Sequence, residues 1–149
     1  MHSQYKKTLE RLFQLFTTCP DPNTREHEDG WSIKEILGHL VDSSSNNHQR
    51  LARYQAQGHF QFPGYDQNIF VQRVQYDSFD FRMLVSLWYQ YNQLLLHLIK
   101  HIPHEDLTST ITVGDRPTVT LEHLIDDYFA HMEVHERQIL RILNRERTS

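Results

Sequence analysis

The histidines at positions 39, 131 and 135 are the side chains best placed to do chemistry. His131 and His135 stand four residues apart in an amphipathic stretch. On a helix both imidazoles would share one face, about one turn apart, and could reach a single ion. His39 lies in a second amphipathic stretch near the N-terminus. Its imidazole would complete a three-nitrogen set with open positions, the arrangement of a catalytic rather than a structural metal site. A competing reading stands beside this one. An i, i+4 pair also arises by chance in a chain with 11 histidines, and a buried imidazole often only hydrogen-bonds to a neighbour. His135 is followed by Glu136, but the H-E-x-x-H pattern of a zincin is absent.

Helical periodicity separates inward from outward histidines. With Leu121 as origin, His135 falls at about −40° and His131 at about −80°, beside Tyr128, Met132 and Ile139, whereas His123 falls at about 200°. With Ile36 as origin, His39 falls at about −60°, and Ser43, Asn46 and Arg50 continue the same margin. A polar margin beside a core stripe points to a wet cavity inside the fold. His48 lies away from it. A rival pair, His97 and His101, falls opposite its own apolar stripe, and His101 suits a helix C-terminus. His39 sits roughly 10 Å into its helix and His135 roughly 12 Å from the end of its own. Antiparallel packing of these two helices would bring the rings to similar heights.

Four long helices must position these groups. The first spans about 3–18, with Tyr5, Leu9, Leu12, Phe13 and Phe16 in helical register, and stops before Cys19-Pro20-Asp21-Pro22. The second begins at Ser32, where Ser32-Ile33-Lys34-Glu35 is a capping box and Trp31 a possible staple, and runs to about Gln57 before Gly58. The third spans about 80–101, its stripe Leu84, Leu87, Trp88, Tyr91, Leu95, Leu98 and Ile102. The fourth starts near Thr120, an N-cap candidate, and reaches about Leu143. The connection 58–79 holds Pro63-Gly64-Tyr65-Asp66 and a short helix near 68–73. The connection 103–119 holds Thr108 to Val113, room for two short strands turning at Gly114-Asp115. Connections this long are functional or cross the fold. The expected class is all-α: a four-helix bundle whose 58–79 crossover permits parallel second and third helices.

Length and composition set outer limits. At 149 residues the chain suffices for one domain, 1–149, with a real core. The net charge of −4 argues against a nucleic-acid partner. Arg137, Arg141, Arg145 and Arg147 cluster where cations favour a helix C-terminus. No apolar run approaches the length of a membrane span, and the N-terminal residues lack an apolar signal segment. The single Cys19 excludes an internal disulfide framework and fits a reducing cytoplasm.

Two motifs carry a family resemblance. Trp31-Ser32-Ile33-Lys34-Glu35-Ile36-Leu37-Gly38-His39-Leu40-Val41-Asp42 resembles the second-helix motif of the DinB-like superfamily. His131-Met132-Glu133-Val134-His135-Glu136-Arg137-Gln138-Ile139 resembles its C-terminal motif. Phe62-Pro63-Gly64-Tyr65-Asp66 is similar to the branch of bacillithiol transferases and metal-dependent hydrolases. The resemblance covers essentially the whole chain. It implies an up-down-down-up bundle, a divalent metal on His39, His131 and His135, and a homodimer.

Such a site would support two chemistries. An ion on three neutral imidazoles would acidify a bound water, giving a hydrolase, or bind and deprotonate a low-molecular-weight thiol, giving a thiol S-transferase. Imidazole ligands suit zinc, nickel, iron or copper, with zinc and nickel the first expectations. Asp42 or Glu136 would orient a ligand ring. Arg50 would hold an anionic group of a small-molecule substrate or form an internal ion pair. Tyr65 and Asp66 would close over the pocket. The alternative function is a non-catalytic, stress-related metal-binding helical dimer.

Overall fold

The capping box at Ser32 forms as the sequence requires: the Ser32 hydroxyl accepts from the Glu35 amide at 3.1 Å, and the Glu35 carboxylate accepts from the Ser32 amide at 3.1 Å. Such a cap is worth about 1 kcal/mol. It starts α2 (Ile33–Arg53). The computed structural model describes residues 2–148, with side chains to residue 145. Around α2 stand α1 (His2–Thr17), α4 (Phe81–Lys100) and α5 (Leu121–Thr148). A short helix α3 (Gln67–Val74) lies in the crossover between α2 and α4. Asp80 caps α4 by accepting from the Met83 amide at 2.9 Å, and Thr120 caps α5 by accepting from the His123 amide at 3.2 Å.

Cross-helix contacts fix the directions. Tyr5 meets Asp126 and Arg11 meets Glu136, so α1 and α5 are parallel. Phe16 packs on Phe81 and Phe13 on Tyr89, so α1 and α4 are antiparallel. Lys34 reaches the Asp77 carbonyl and Asn92 bonds Ser44, so α2 runs with α4. Ser44 meets Tyr128 and His39 meets His131, so α2 opposes α5. The core lies along these seams, with Leu9, Leu12, Ile36, Leu37, Leu40, Leu84, Trp88, Leu95, Met132 and Ile139 fully buried.

The all-α expectation is corrected by a small sheet. Strand β1 (His59–Phe62) pairs in parallel with β2 (Thr110–Val113), which pairs antiparallel with β3 (Val119–Thr120). The two strands foreseen in 103–119 are β2 and β3. β1 was not foreseen, because its partner lies some fifty residues away and four residues carry little period-two signal. α2 also ends before Gly58. At Tyr54 the backbone turns extended, the Tyr54 hydroxyl bonds Asp106 at 2.7 Å, and the Gln57 amide donates to the Ser109 hydroxyl at 2.8 Å. Tertiary hooks on the segment before β2 thus end the helix early.

Two more readings change. Leu87 is 47 % exposed rather than core. α5 runs beyond Leu143 to Thr148, which keeps Arg145 in its last turn and gives Arg141 and Arg145 a second role. Arg141 pairs with Glu26 at 3.3 Å and Arg145 bonds the Glu26 carbonyl at 2.6 Å, pinning the loop after α1. The Arg147 side chain lies outside the described residues. Among the described residues no helix is long and apolar enough to cross a membrane.

Candidate metal centre

α2 and α5 run antiparallel with His39 on one and His131 and His135 on the other, and the three rings meet between them. Nε2 of His131 stands 3.2 Å from Nε2 of His39 and 3.1 Å from Nε2 of His135. The ring of His39 is edge-on to both others, with centroids 5.0 and 4.9 Å away. All three offer a ligand atom within 4.8 Å of the rest. His39 is 1 % exposed, and His131 and His135 are half-buried. Trp31 tilts over His39 with centroids 4.8 Å apart, so it shields the ring as well as preceding the cap.

This arrangement fits an ion better than a hydrogen-bond network. An imidazole nitrogen has one in-plane site, a proton or a lone pair, so Nε2 of His131 cannot serve two neighbours well. Three lone pairs around one ion need no such choice. Bonds of 2.0–2.1 Å put ligand nitrogens roughly 2.8–3.4 Å apart for angles between 90° and tetrahedral, and both separations from His131 fall in that range. Electrostatics agree. Burial, reinforced by the neighbouring imidazoles, pushes His39 down to about 3. Burial and His135 push His131 down to about 4, with Asp127 opposing. Burial also lowers His135, against the pull of Gln138. All three rings are therefore neutral at physiological pH, the form that ligates metal.

The second layer differs from expectation. Nδ1 of His135 is 2.8 Å from Oε1 of Gln138. A proton on Nδ1 donated there leaves the Nε2 lone pair facing the cluster. Gln138 was missed, although three residues past a helical histidine is within reach of its ring. Glu136 does not orient His135. It is bound by Arg11 through two contacts, at 2.8 and 3.0 Å. Asp42 does not orient His39 either. It accepts from the Tyr76 hydroxyl at 2.5 Å, and burial raises its carboxyl to about 6 despite that bond. His39 Nδ1 has no hydrogen-bond partner within the described protein.

The cluster borders a cavity of about 500 Å³, to which His39, Ser43, Asn47, Arg50, Tyr65, Tyr128 and His131 all contribute. Its outer wall comes from the loop after β1 and the β2–β3 turn, where Gly114, at φ +55°, approaches Gly64 closely. Three of the four margin residues read from sequence therefore line the cavity. Asn46 does not: its side chain donates to the Asp42 carbonyl at 2.9 Å, and its neighbour Asn47 takes the place. Tyr65 lines the wall, with its phenol raised by burial. Asp66 is exposed and caps α3, accepting from the Asn68 and Ile69 amides at 3.0 and 3.1 Å. Arg50 forms no internal ion pair among the described residues and lies 5.6 Å from the centre of the Phe62 ring. Asp115, Arg116 and Asp127, not read from sequence, complete the polar lining. His48, His97, His101 and His123 stay outside the cluster: His48 meets Tyr91 at 2.8 Å and the others are exposed.

Fold and cluster together define a helical bundle with a three-histidine centre consistent with a divalent metal. The chain belongs to the DinB superfamily, whose family model matches residues 4–139. Among solved structures it is similar to YfiT from Bacillus subtilis, described as a probable metal-dependent hydrolase with an unusual four-helix bundle topology. The identity is 18 %, over 97 % of this chain and 88 % of that one, with a TM-score of 0.76. It is also similar to a mycothiol-dependent maleylpyruvate isomerase, at 9 % identity over 93 % of this chain and 58 % of that one, with a TM-score of 0.69. A histidine-to-alanine mutant of that isomerase matches equally. Identities this low establish the fold alone. No curated protein matches the chain.

Proposed function

We propose that this protein is a divalent-metal-dependent enzyme acting on a small molecule, with the ion held by Nε2 of His39, His131 and His135. The carrying observation is that a three-nitrogen cluster opens on a polar cavity of about 500 Å³. A structural zinc is closed by a fourth protein ligand. Here the metal-ligating cluster among the described residues holds three histidines only. When bound, a divalent ion would supply Lewis acidity, drawing a coordinated water or thiol toward its deprotonated form. The three neutral rings leave the ion's charge undiminished for that purpose.

Hydrolysis is the first reading, supported by the description of YfiT and by Asp127. That carboxylate lines the cavity and acts electrostatically on His131, so it is placed to take a proton from a nucleophile beside the ring. Thiol S-transfer is the second, supported by the thiol-dependent isomerase among the similar structures. Zinc and nickel both suit the ligands. We extend the reading to a single-domain, cytoplasmic homodimer, for which the exposed apolar face of α4 (Met83, Leu87 and Leu94) offers a surface.

Elemental analysis of tag-free protein tests the centre. One ion per chain is expected, lost in His135→Ala; full stoichiometry in that variant refutes the ligand assignment. Chelation should then abolish turnover in a screen of ester, amide and thiol-conjugation substrates. A chelation-dependent drop in melting temperature with no turnover in any screen would favour the non-catalytic alternative.

A further inference from the structure

Arg50 is 6 % exposed, yet no carboxylate or carbonyl of the described residues bonds its guanidinium, and its Nε has no hydrogen-bond partner. A buried cation without a counter-ion is costly, and such groups are ordinarily paired. Among the described residues its neighbours in the cavity are the Phe62 ring and the Tyr65 phenol, neither of them a carboxylate. Two carboxylates line the same cavity, Asp115 and Asp127. Neither pairs with Arg50, and Asp127 acts on His131 instead. A second cation at the cavity wall, Arg116, acts on Arg50 by repulsion. The cavity therefore has a histidine end suited to an ion and an arginine end lacking its anion.

Resting on the enzyme reading above, we propose that Arg50 recognises a carboxylate at the far terminus of the substrate whose reacting end sits at the histidine cluster. A planar guanidinium takes a carboxylate through two parallel hydrogen bonds. One buried arginine matches one such group, with Arg116 adding attraction at the wall. Position sets the length of the ligand. Arg50 lies about 16 Å beyond His39 along the α2 axis. Both side chains lean toward the N-terminus and the longer arginine leans further, so roughly 10–14 Å separates the guanidinium from the ring nitrogens. Ser43 and Asn47, on the intervening turns, line the path between them. The substrate class is thus an elongated molecule with a terminal carboxylate, not a compact neutral one.

The probe is a hydroxamic acid, a metal-binding group, joined by a six-carbon chain to a carboxylate, compared with its neutral methyl ester. Calorimetric titration of zinc-loaded full-length protein should show the acid binding at least about tenfold tighter than the ester. Arg50→Met, which keeps the apolar stem, should bring that ratio near one at unchanged zinc stoichiometry, and Arg50→Lys should restore part of it. Arg50→Met should melt no lower than the parent, because it removes an unpaired buried charge. Equal binding of acid and ester by the parent, or an undiminished preference in Arg50→Met, overturns the proposal. Should zinc fail to bind, the enzyme reading fails separately. Adipate against 1,6-hexanediol on metal-free protein then decides the Arg50 assignment by the same ratio and the same variants.

Discussion

Oε1 of Gln138 lies 2.8 Å from Nδ1 of His135, and this contact decides which imidazole nitrogen faces the cluster. With its proton held by Gln138, His135 presents Nε2 as a lone pair. Supporting contacts of this kind commonly change metal affinity by ten- to a hundredfold. Gln138→Leu should therefore weaken zinc binding by about that factor, read by competition with a chromogenic chelator. Gln138→Glu, a stronger acceptor, should bind at least as tightly as the parent. Unaltered affinity in Gln138→Leu would mean that the ring is oriented by packing alone.

The histidines also set how the metal-free protein responds to acid. His39 titrates at about 3 and His131 at about 4 in the folded chain, and His135 is lowered too. Unfolded histidine titrates near 6.5. Between these values the unfolded chain holds protons that the folded chain does not, so stability is intact above about 6.5 and declines as pH falls. Asp42 works the other way: raised to about 6 from 3.8, it holds a proton in the folded chain that the unfolded chain has lost, offsetting one histidine in that window. The net effect of three against one is loss on acidification. Each fully engaged histidine contributes at most about 1.4 kcal/mol per pH unit. Urea unfolding of metal-free protein should show a midpoint that drops between pH 7 and 5, more steeply in Asp42→Asn. A midpoint flat over that range would contradict neutral, buried imidazoles.

Where the pattern was regular, the sequence could be read. His39, His131 and His135 were placed inward from the wheel alone, because long amphipathic helices tie orientation to register. Errors arose where a neighbour decided. Asn46 and Asn47 each donate to the carbonyl four residues back at 2.9 Å, so the single 100° step between them decides which one faces the cavity. Leu87 falls within the apolar arc of α4 but lines an open groove with His48, so it stays in solvent. β1 needed a partner distant in sequence. Asp42 was legible as a polar group near His39, but its partner Tyr76 sits in the crossover, where no periodicity points. Arg50 is legible as either an anion-binding group or half of an internal ion pair; only the fold shows that among the described residues no carboxylate pairs with it and its Nε has no hydrogen-bond partner.

Gly38, next to His39, is required by packing rather than by backbone freedom. A Cβ there would stand 2.2 Å from Cδ2 of Tyr76. The ring cannot easily withdraw, because its hydroxyl is held by Asp42. Overpacking of this kind costs about 1–3 kcal/mol, and a distance this short belongs at the upper end. Gly38→Ala should lower the melting temperature by several degrees and weaken metal binding by displacing His39. Adding Tyr76→Ala should recover part of the metal affinity, since the clash is removed. No recovery would mean that Tyr76 does not transmit the strain.

One turn beyond His39, a buried polar ring ties α2, α4 and α5 together. Ser44 Oγ lies 2.7 Å from the Tyr128 hydroxyl, which donates to Asn92 Oδ1 at 2.6 Å, while Asn92 Nδ2 donates to Ser44 Oγ at 3.1 Å. Burial raises the Tyr128 phenol well above its ordinary range, so it remains a donor at any working pH. Tyr128→Phe leaves Asn92 Oδ1 without that donor inside the core, at a cost of about 1–3 kcal/mol. The loss should appear as a lower urea midpoint at unchanged metal stoichiometry, since no ligand is touched. Asn92→Leu removes the other partner, and the double variant should then be less damaged than the sum of the singles, with a coupling of about 0.5–3 kcal/mol. Strict additivity would show that the three side chains do not act as one unit and that the spacing of α2 from α5, hence of His39 from His131, is held by apolar packing alone.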